Sequence, residues 1–243
     1  MSNENKMNDW RRVPTGWITE TALNELRWTQ TEGSTNAAAL MIYIALGVYT
    51  APYDDLIKNL SIGEASPTYN ELQKFCGLSR DLINKGIKKL LFLNRIEKRK
   101  EGVRTIYTIT DLQGIPFGKI PYKFFAHKGK LQNVFGGLSV RNKKTLHALK
   151  IYFMAIKFRN GKVNYARFSY EKIEAFSGIP RFEIKAALCA LTENKLLIID
   201  MVPSKNNDYR QNIYRIRGVE NTKHLATIAE DEYLRLAKPK LVE

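Results

Sequence analysis

Thr68-Tyr-Asn-Glu-Leu-Gln-Lys-Phe-Cys-Gly-Leu-Ser-Arg-Asp-Leu-Ile-Asn-Lys-Gly-Ile-Lys-Lys-Leu-Leu91 decides the fold. Tyr69, Leu72 and Phe75 fall three residues apart, on one face of a short helix over Thr68–Cys76. Gly77 ends that helix, because glycine takes positive φ without steric cost. Ser79 follows as a helix N-cap, and the next helix runs to about Leu91. Leu82, Ile83, Ile87, Leu90 and Leu91 form its apolar stripe, while Arg80, Asn84, Lys85 and Lys88 lie on the opposite side. Beyond it, Arg95–Lys100 and Arg104–Ile109 alternate as two strands joined through Glu101-Gly102.

The same grammar occurs twice. Tyr69, Leu72, Phe75, Gly77, Leu78, Ile83 and Leu90 match Tyr170, Ile173, Phe176, Gly178, Ile179, Ile184 and Leu191 at one offset, 101, without a gap. Val13-Pro-Thr-Gly-Trp-Ile18 matches Ile115-Pro-Phe-Gly-Lys-Ile120 at 102. Leu40, Ile42 and Tyr43 match Leu149, Ile151 and Tyr152 at 109, and Thr105–Ile109 matches Asn212–Ile216 at 107. Each copy opens with a Pro-Gly strand suited to a sheet edge. A long apolar helix follows, Thr35–Val48 in the first copy and Lys143–Lys157 in the second. Pro180 stands in the first turn of the second copy's third helix, where a missing N–H costs little.

Helix, glycine turn, helix and hairpin are the parts of a winged helix-turn-helix. The expected fold is therefore α+β, mostly helical, with two tandem winged-helix domains at 13–111 and 112–217. A flexible N-terminus covers 1–12, and 218–243 forms a C-terminal tail with an amphipathic helix from Thr222 to Leu236. The loop Tyr49–Pro67 is unusually long and has no assigned role. A length of 243 residues suits two such domains. No apolar run reaches the roughly 18–20 residues that span a bilayer, and the polar first residues lack the core of a signal peptide, so a cytoplasmic, nucleoid- or plasmid-associated protein is expected.

Charge points to the partner. The chain carries +15 overall, yet residues 1–73 are net −4 and residues 74–104 net +7. The excess thus falls on the third helix and hairpin, the elements a winged helix presents to the major groove and the backbone of a DNA duplex. Candidate contacts in the first copy are Ser79, Arg80, Asn84, Lys85, Lys88 and Lys89 on the helix, with Lys98, Arg99, Lys100 and Arg104 on the wing. In the second copy they are Arg181 and Lys185 on the helix, with Lys205, Asn206, Asn207 and Arg210 on the wing. Arg and Lys suit guanine and Asn suits adenine, so Arg80, Asn84, Lys85 and Lys88 are candidates for base edges as well as for phosphate. Glu183 reads either as a cytosine contact or as an ion pair with a nearby lysine. From 112 to 170 there is no acidic residue and there are 12 Lys and Arg. That stretch either faces phosphate or is a solvated basic face.

Other chemistries find little support. His127, His147 and His224 form no metal-binding spacing, and Cys76 and Cys189 are too few for a disulfide framework or a four-cysteine zinc site. Both cysteines read as inert core residues on apolar helix faces. Gly114–Ile120 is one residue too short for a phosphate loop and repeats the Val13–Ile18 strand. No enzymatic activity and no cofactor are expected.

Two winged helices in tandem, each opened by Val/Ile-Pro-x-Gly-x-Ile, resemble the replication initiator proteins of bacterial plasmids and phages, and Ser66–Leu90 looks like their helix-turn-helix module. The resemblance covers about 13–217. It implies two winged helices on successive major grooves of repeated origin sites, a homodimer contact through part of the first domain, and host replication proteins as further partners. Residues 1–73 would then be the protein-contact face. The expected function is sequence-specific double-stranded DNA binding over roughly 20 base pairs per chain. A transcriptional regulator and a protein-interaction scaffold of the same fold are the alternatives.

Overall fold

The computed structural model describes residues 10–51, 59–112, 116–127, 130–160, 164–203 and 210–219. The first half runs β1 (Trp10–Pro14), α1 (Glu20–Glu25), α2 (Gly33–Tyr49), β2 (Glu64–Ala65), α3 (Tyr69–Cys76), α4 (Arg80–Phe92), β3 (Ile96–Glu101) and β4 (Arg104–Ile109). The second runs β5 (Phe117–Pro121), α5 (Tyr122–Phe125), β6 (Ala126–His127), β7 (Lys130–Leu131), α6 (Lys143–Phe158), β8 (Ala166–Arg167), α7 (Tyr170–Ser177), α8 (Arg181–Glu193), β9 (Leu197–Pro203) and β10 (Arg210–Ile216). The chain is α+β, with eight helices and small antiparallel sheets among the described residues. No described helix is long and apolar enough to cross a membrane.

α2 is apolar around its whole circumference and is buried continuously from Asn36 to Val48, as a central core helix must be. α6 plays the same part in the second half, buried from Thr145 to Ile156. α3 begins in a capping box, in which the Thr68 hydroxyl accepts from the Glu71 N–H and the Glu71 carboxylate accepts from the Thr68 N–H. Ser169 caps α7 in the same way through its hydroxyl. Both helices end on a left-handed glycine, Gly77 at φ 68° and Gly178 at φ 67°. Ser79 then caps α4. Pro180 sits at the N-cap of α8, one position ahead of the first turn expected from sequence.

The hairpins join two equivalent three-stranded sheets, β2-β4-β3 and β8-β10-β9. Ala65 faces Tyr107 in one and Ala166 faces Tyr214 in the other, so the repeat extends to strand register. In the first half Ala51 and Leu60 close over Ile106. Asn59 Nδ2 donates to Glu101 Oε1 at 2.7 Å, and Glu64 lies beside Arg99. In the second half Tyr165 covers Val202 and Ile213 in the same place.

The opening strands are not separate edges. β1 pairs antiparallel with β5, with Arg12 opposite Lys119 and Pro14 opposite Phe117, and Thr15 N–H donates to Pro116 O at 2.9 Å. At the offset of 102, Pro14 corresponds to Pro116 and Thr15 to Phe117. Exchanging the halves therefore carries the Pro14–Phe117 pair into the Thr15–Pro116 pair, which is the signature of an approximate two-fold axis. Contacts beyond the ribbon obey the same exchange. α1 packs on α7, and Asn24 lies against Gly178; Asn133, 109 residues after Asn24, lies against Gly77. Phe125 of α5 stacks edge-on against Phe75 of α3, with ring centroids 5.6 Å apart. α2 and α6 pack together, placing Tyr43 and Phe153 5.9 Å apart.

Two differences from the sequence reading follow. The N-terminal strand starts at Trp10, inside the segment expected to be flexible, because residues 10–12 hydrogen-bond across the halves. The boundary at 111/112 separates two repeats of topology but not two cores: Val13, Tyr43 and Phe75 share one apolar cluster with Ile120, Phe125 and Phe153. The segment 222–236 lies outside the described residues.

A core common to both halves is expected to unfold as one unit. All three tryptophans lie in the first half, so urea unfolding followed by tryptophan fluorescence is expected to coincide with far-UV circular dichroism, which sees both halves. Phe125→Ala is expected to lower that single transition by about 3–5 kcal/mol. Fluorescence unmoved by this second-half substitution would show two independent cores.

Candidate nucleic-acid interface

The helix-glycine-helix turn sets which side of α4 faces outward. Ile83, Ile87 and Leu90 are buried, and Gly86 lets the helix press onto α2, since a Cβ there would lie 2.6 Å from Ile42 Cδ1 and 3.1 Å from the Ala39 nitrogen. The opposite side exposes Arg80, Asn84, Lys85 and Lys88. Arg80 does not wave in solvent. Its Nη2 donates to Asn70 Oδ1 at 2.8 Å and its Nε to Gln73 Oε1 at 3.3 Å, tying the start of α4 to α3. The second half repeats the device: Arg181 Nη1 donates to Glu171, whose pKa that bond pulls down to about 2. Lys85 pairs with Asp81 one turn earlier at 2.8 Å, an exposed i,i+4 pair that is weak in water and easily exchanged for phosphate.

Not every expected contact faces outward. Lys89 turns away from the exposed side of α4; its side chain is 17% exposed, with Nζ 3.3 Å from Glu32 at the start of α2. Arg99 is held by Glu64 on the other face of the β2-β4-β3 sheet from Ile96, with Nε and Nη2 both within 3.2 Å of Oε1. Lys98 and Lys100 occupy the alternate positions, on the sheet face of Ile96 and Tyr107, and are exposed. Ser79 is spent as the N-cap, its hydroxyl accepting from the Leu82 N–H. Arg104 lies across the hairpin from Glu101. Lys185 is exposed on α8. Lys205, Asn206 and Asn207 lie outside the described residues, and Arg210 enters β10 opposite Pro203.

The carboxylate-free stretch divides. Much of its charge is structural. Lys150, 3% exposed, donates to the Ser177 carbonyl at the end of α7, and Lys157 donates to the Thr15 carbonyl of the other half. Arg159 bonds Asn164 and Arg167 bonds Gln211. Lys119 Nζ lies 4.3 Å from the Trp10 ring. Lys123, Arg141 and Lys144 remain exposed. Arg141 lines a cleft of about 440 Å³ with Gly77, Leu78, Ser79 and Asn133, beside the start of α4.

Glu183 resolves toward the ion pair. It bonds Lys143 Nζ, and its Oε2 lies 3.0 Å from His147 Nδ1 between α6 and α8. Cys76 is buried and its thiol is pushed far up by burial, whereas Cys189 is exposed on α8, against the expectation of a core residue. The sequence reading also passed over Phe182, which is 82% exposed in the first turn of α8. The signal was present in the repeat itself, since offset 101 aligns Phe182 with the outward-facing Asp81. Among the described residues no group of His, Cys, Asp and Glu is placed to hold a metal. No protein-family model matches the chain, and no curated protein matches it in sequence.

His147 gives the fold a pH signature. Burial is the main cause that lowers its pKa from 6.5 to about 4, with Glu183 opposing. Between those two values the unfolded chain binds a proton that the folded chain does not, so stability is lost as pH falls through this window, by on the order of 3 kcal/mol. His147→Gln is expected to lose less stability than the wild type between pH 7 and pH 4.5 in urea titrations. An equal loss in both would mean that His147 is not the group responsible.

Proposed function

We propose that this protein is a non-enzymatic, sequence-specific binder of double-stranded DNA, built as two tandem winged helices, with α4 and α8 as the reading helices and the β3–β4 and β9–β10 hairpins as wings. The observation that carries the reading is the outward face of the first half. Asn84, Lys85 and Lys88 are exposed on the side of α4 away from the core, and Lys98 and Lys100 are exposed on β3. Such a surface pairs cationic contacts for phosphate with amide and ammonium donors for base edges. The approximate two-fold axis adds a second argument. Two reading helices exchanged by such an axis suit the two half-sites of an imperfect inverted repeat, whose centres lie about one helical turn apart. The similarity of Val13–Ile18, Ile115–Ile120 and Ser66–Leu90 to plasmid and phage replication initiators makes an origin repeat the preferred target. Replication proteins of the host and a second copy of the chain are the further partners that similarity suggests.

Two experiments separate the readings. Duplex DNA selected from a random library is titrated by fluorescence anisotropy at 50 and 200 mM salt. Affinity is expected to fall steeply with salt, and each of Lys85→Ala and Lys88→Ala to cost about 1–3 kcal/mol if it contacts a base. Lys89→Ala, whose ammonium is engaged with Glu32, is expected to change affinity little. Weak, salt-insensitive binding unaffected by these substitutions would indicate a protein scaffold. A minimal plasmid carrying the gene's own flanking repeats is expected to replicate when the protein is supplied. Failure there, with repression of a neighbouring promoter intact, would make it a regulator.

A further inference from the structure

The two reading helices carry opposite chemistry at matched positions. At offset 101, Asp81, Lys85 and Lys88 of α4 become Phe182, Ala186 and Cys189 of α8, and all six are exposed. An ion pair on one helix is thereby replaced by an aromatic ring and a methyl group on the other. Phe182 is the more telling because it is 82% exposed while the aromatic side chains of α7 pack inward, Phe176 in the core and Tyr170 against it. Cations border it: Arg181 precedes it, and Lys185 follows on the same side. The one carboxylate of this turn, Glu183, is drawn away by Lys143 and His147. Arg181 is itself bonded to Glu171, whereas Lys185 stands exposed beside the ring; an exposed ring bordered by cations fits a polyanion that also offers apolar groups. The major groove offers one such group, the C5 methyl of thymine.

We propose that α8 reads thymine methyl groups through Phe182, with Ala186 beside it, so that the two halves read their half-sites differently: α4 by hydrogen bonds and α8 by apolar contact. This deepens the DNA-binding reading above and rests on it. The register equivalence of the two helices and the bordering cations favour a nucleic-acid duplex over a protein as the occupant of this face.

The test uses the full-length protein and the tightest duplex recovered from a random library, remade with each thymine singly replaced by deoxyuridine, which removes only the methyl group. For the wild type, one or two positions in a single half-site are expected to lose about 3- to 10-fold in affinity, the scale of one or two buried methyl groups. Phe182→Ala is expected to melt like the wild type, to bind the thymine duplex about as weakly as the wild type binds the deoxyuridine duplex, and to be indifferent to the replacement. Wild-type affinity unchanged by deoxyuridine at every position overturns the inference, as does a Phe182→Ala variant that keeps full sensitivity. Undiminished duplex binding by Phe182→Ala overturns it in favour of a protein contact. Absence of any duplex binding by the wild type is a different result: it removes the DNA-binding reading itself.

Discussion

Backbone hydrogen bonds between β1 and β5 join two segments about a hundred residues apart, and the arrangement of everything else depends on them. A two-stranded ribbon alone is marginal in water. Here it is held by what lies beneath it. Gly47 of α2 lies against Val13 and Ile120, and Gly118 lies against Ile156 of α6; at either glycine a Cβ would come within 3 Å of its neighbours. The two most apolar helices thus meet under the ribbon, and burying their continuous apolar surface is the main stabilising contribution. Because the strands are antiparallel and equivalent by sequence, their register imposes the approximate two-fold relation. The reciprocal contacts of Asn24 and Asn133 with the two left-handed glycines then lock each half onto the helix-glycine-helix turn of the other.

That geometry sorts the charges. Cations near the shared core become structural. Lys150 ends α7, Lys157 bridges the halves, and burial pulls the Arg159 pKa down to about 10. The exposed cations of α4 and β3 stay hydrated. Arg80 and Arg181 stand between the two groups. Each is exposed, yet each is oriented by a bond to the preceding helix, so its guanidinium is held in place.

Local structure was legible in the sequence because its causes are local. Gly77 and Ser79 each act within four residues of themselves, and the helix end and the N-cap came out as read, while the Thr68–Glu71 capping box, equally local, was passed over. The repeat was legible too, since matched offsets survive divergence of the side chains. Interactions between distant segments were not. Nothing in Val13–Ile18 or Ile115–Ile120 says that two edge strands will choose each other as partners. A helical stripe says which side of α4 is buried against its own half, but not that Glu32 arrives to take Lys89 or that Glu64 folds back over Arg99. Cys189 was misplaced for a related reason: its neighbours are apolar, yet it falls on the outward side with Phe182 and Ala186. The sequence carried that pattern, but only the repeat alignment at offset 101 reveals it.

Hydroxyl-radical footprinting of the selected duplex tests the central claim most directly, that both reading helices engage one DNA molecule from opposite sides of an internal two-fold axis. Two protected patches about one helical turn apart, on the same face of the duplex, are the result this account requires. Lys85→Ala/Lys88→Ala should thin one patch and Lys185→Ala the other. A single patch that weakens equally with either set of substitutions, or no protection at all, would contradict it.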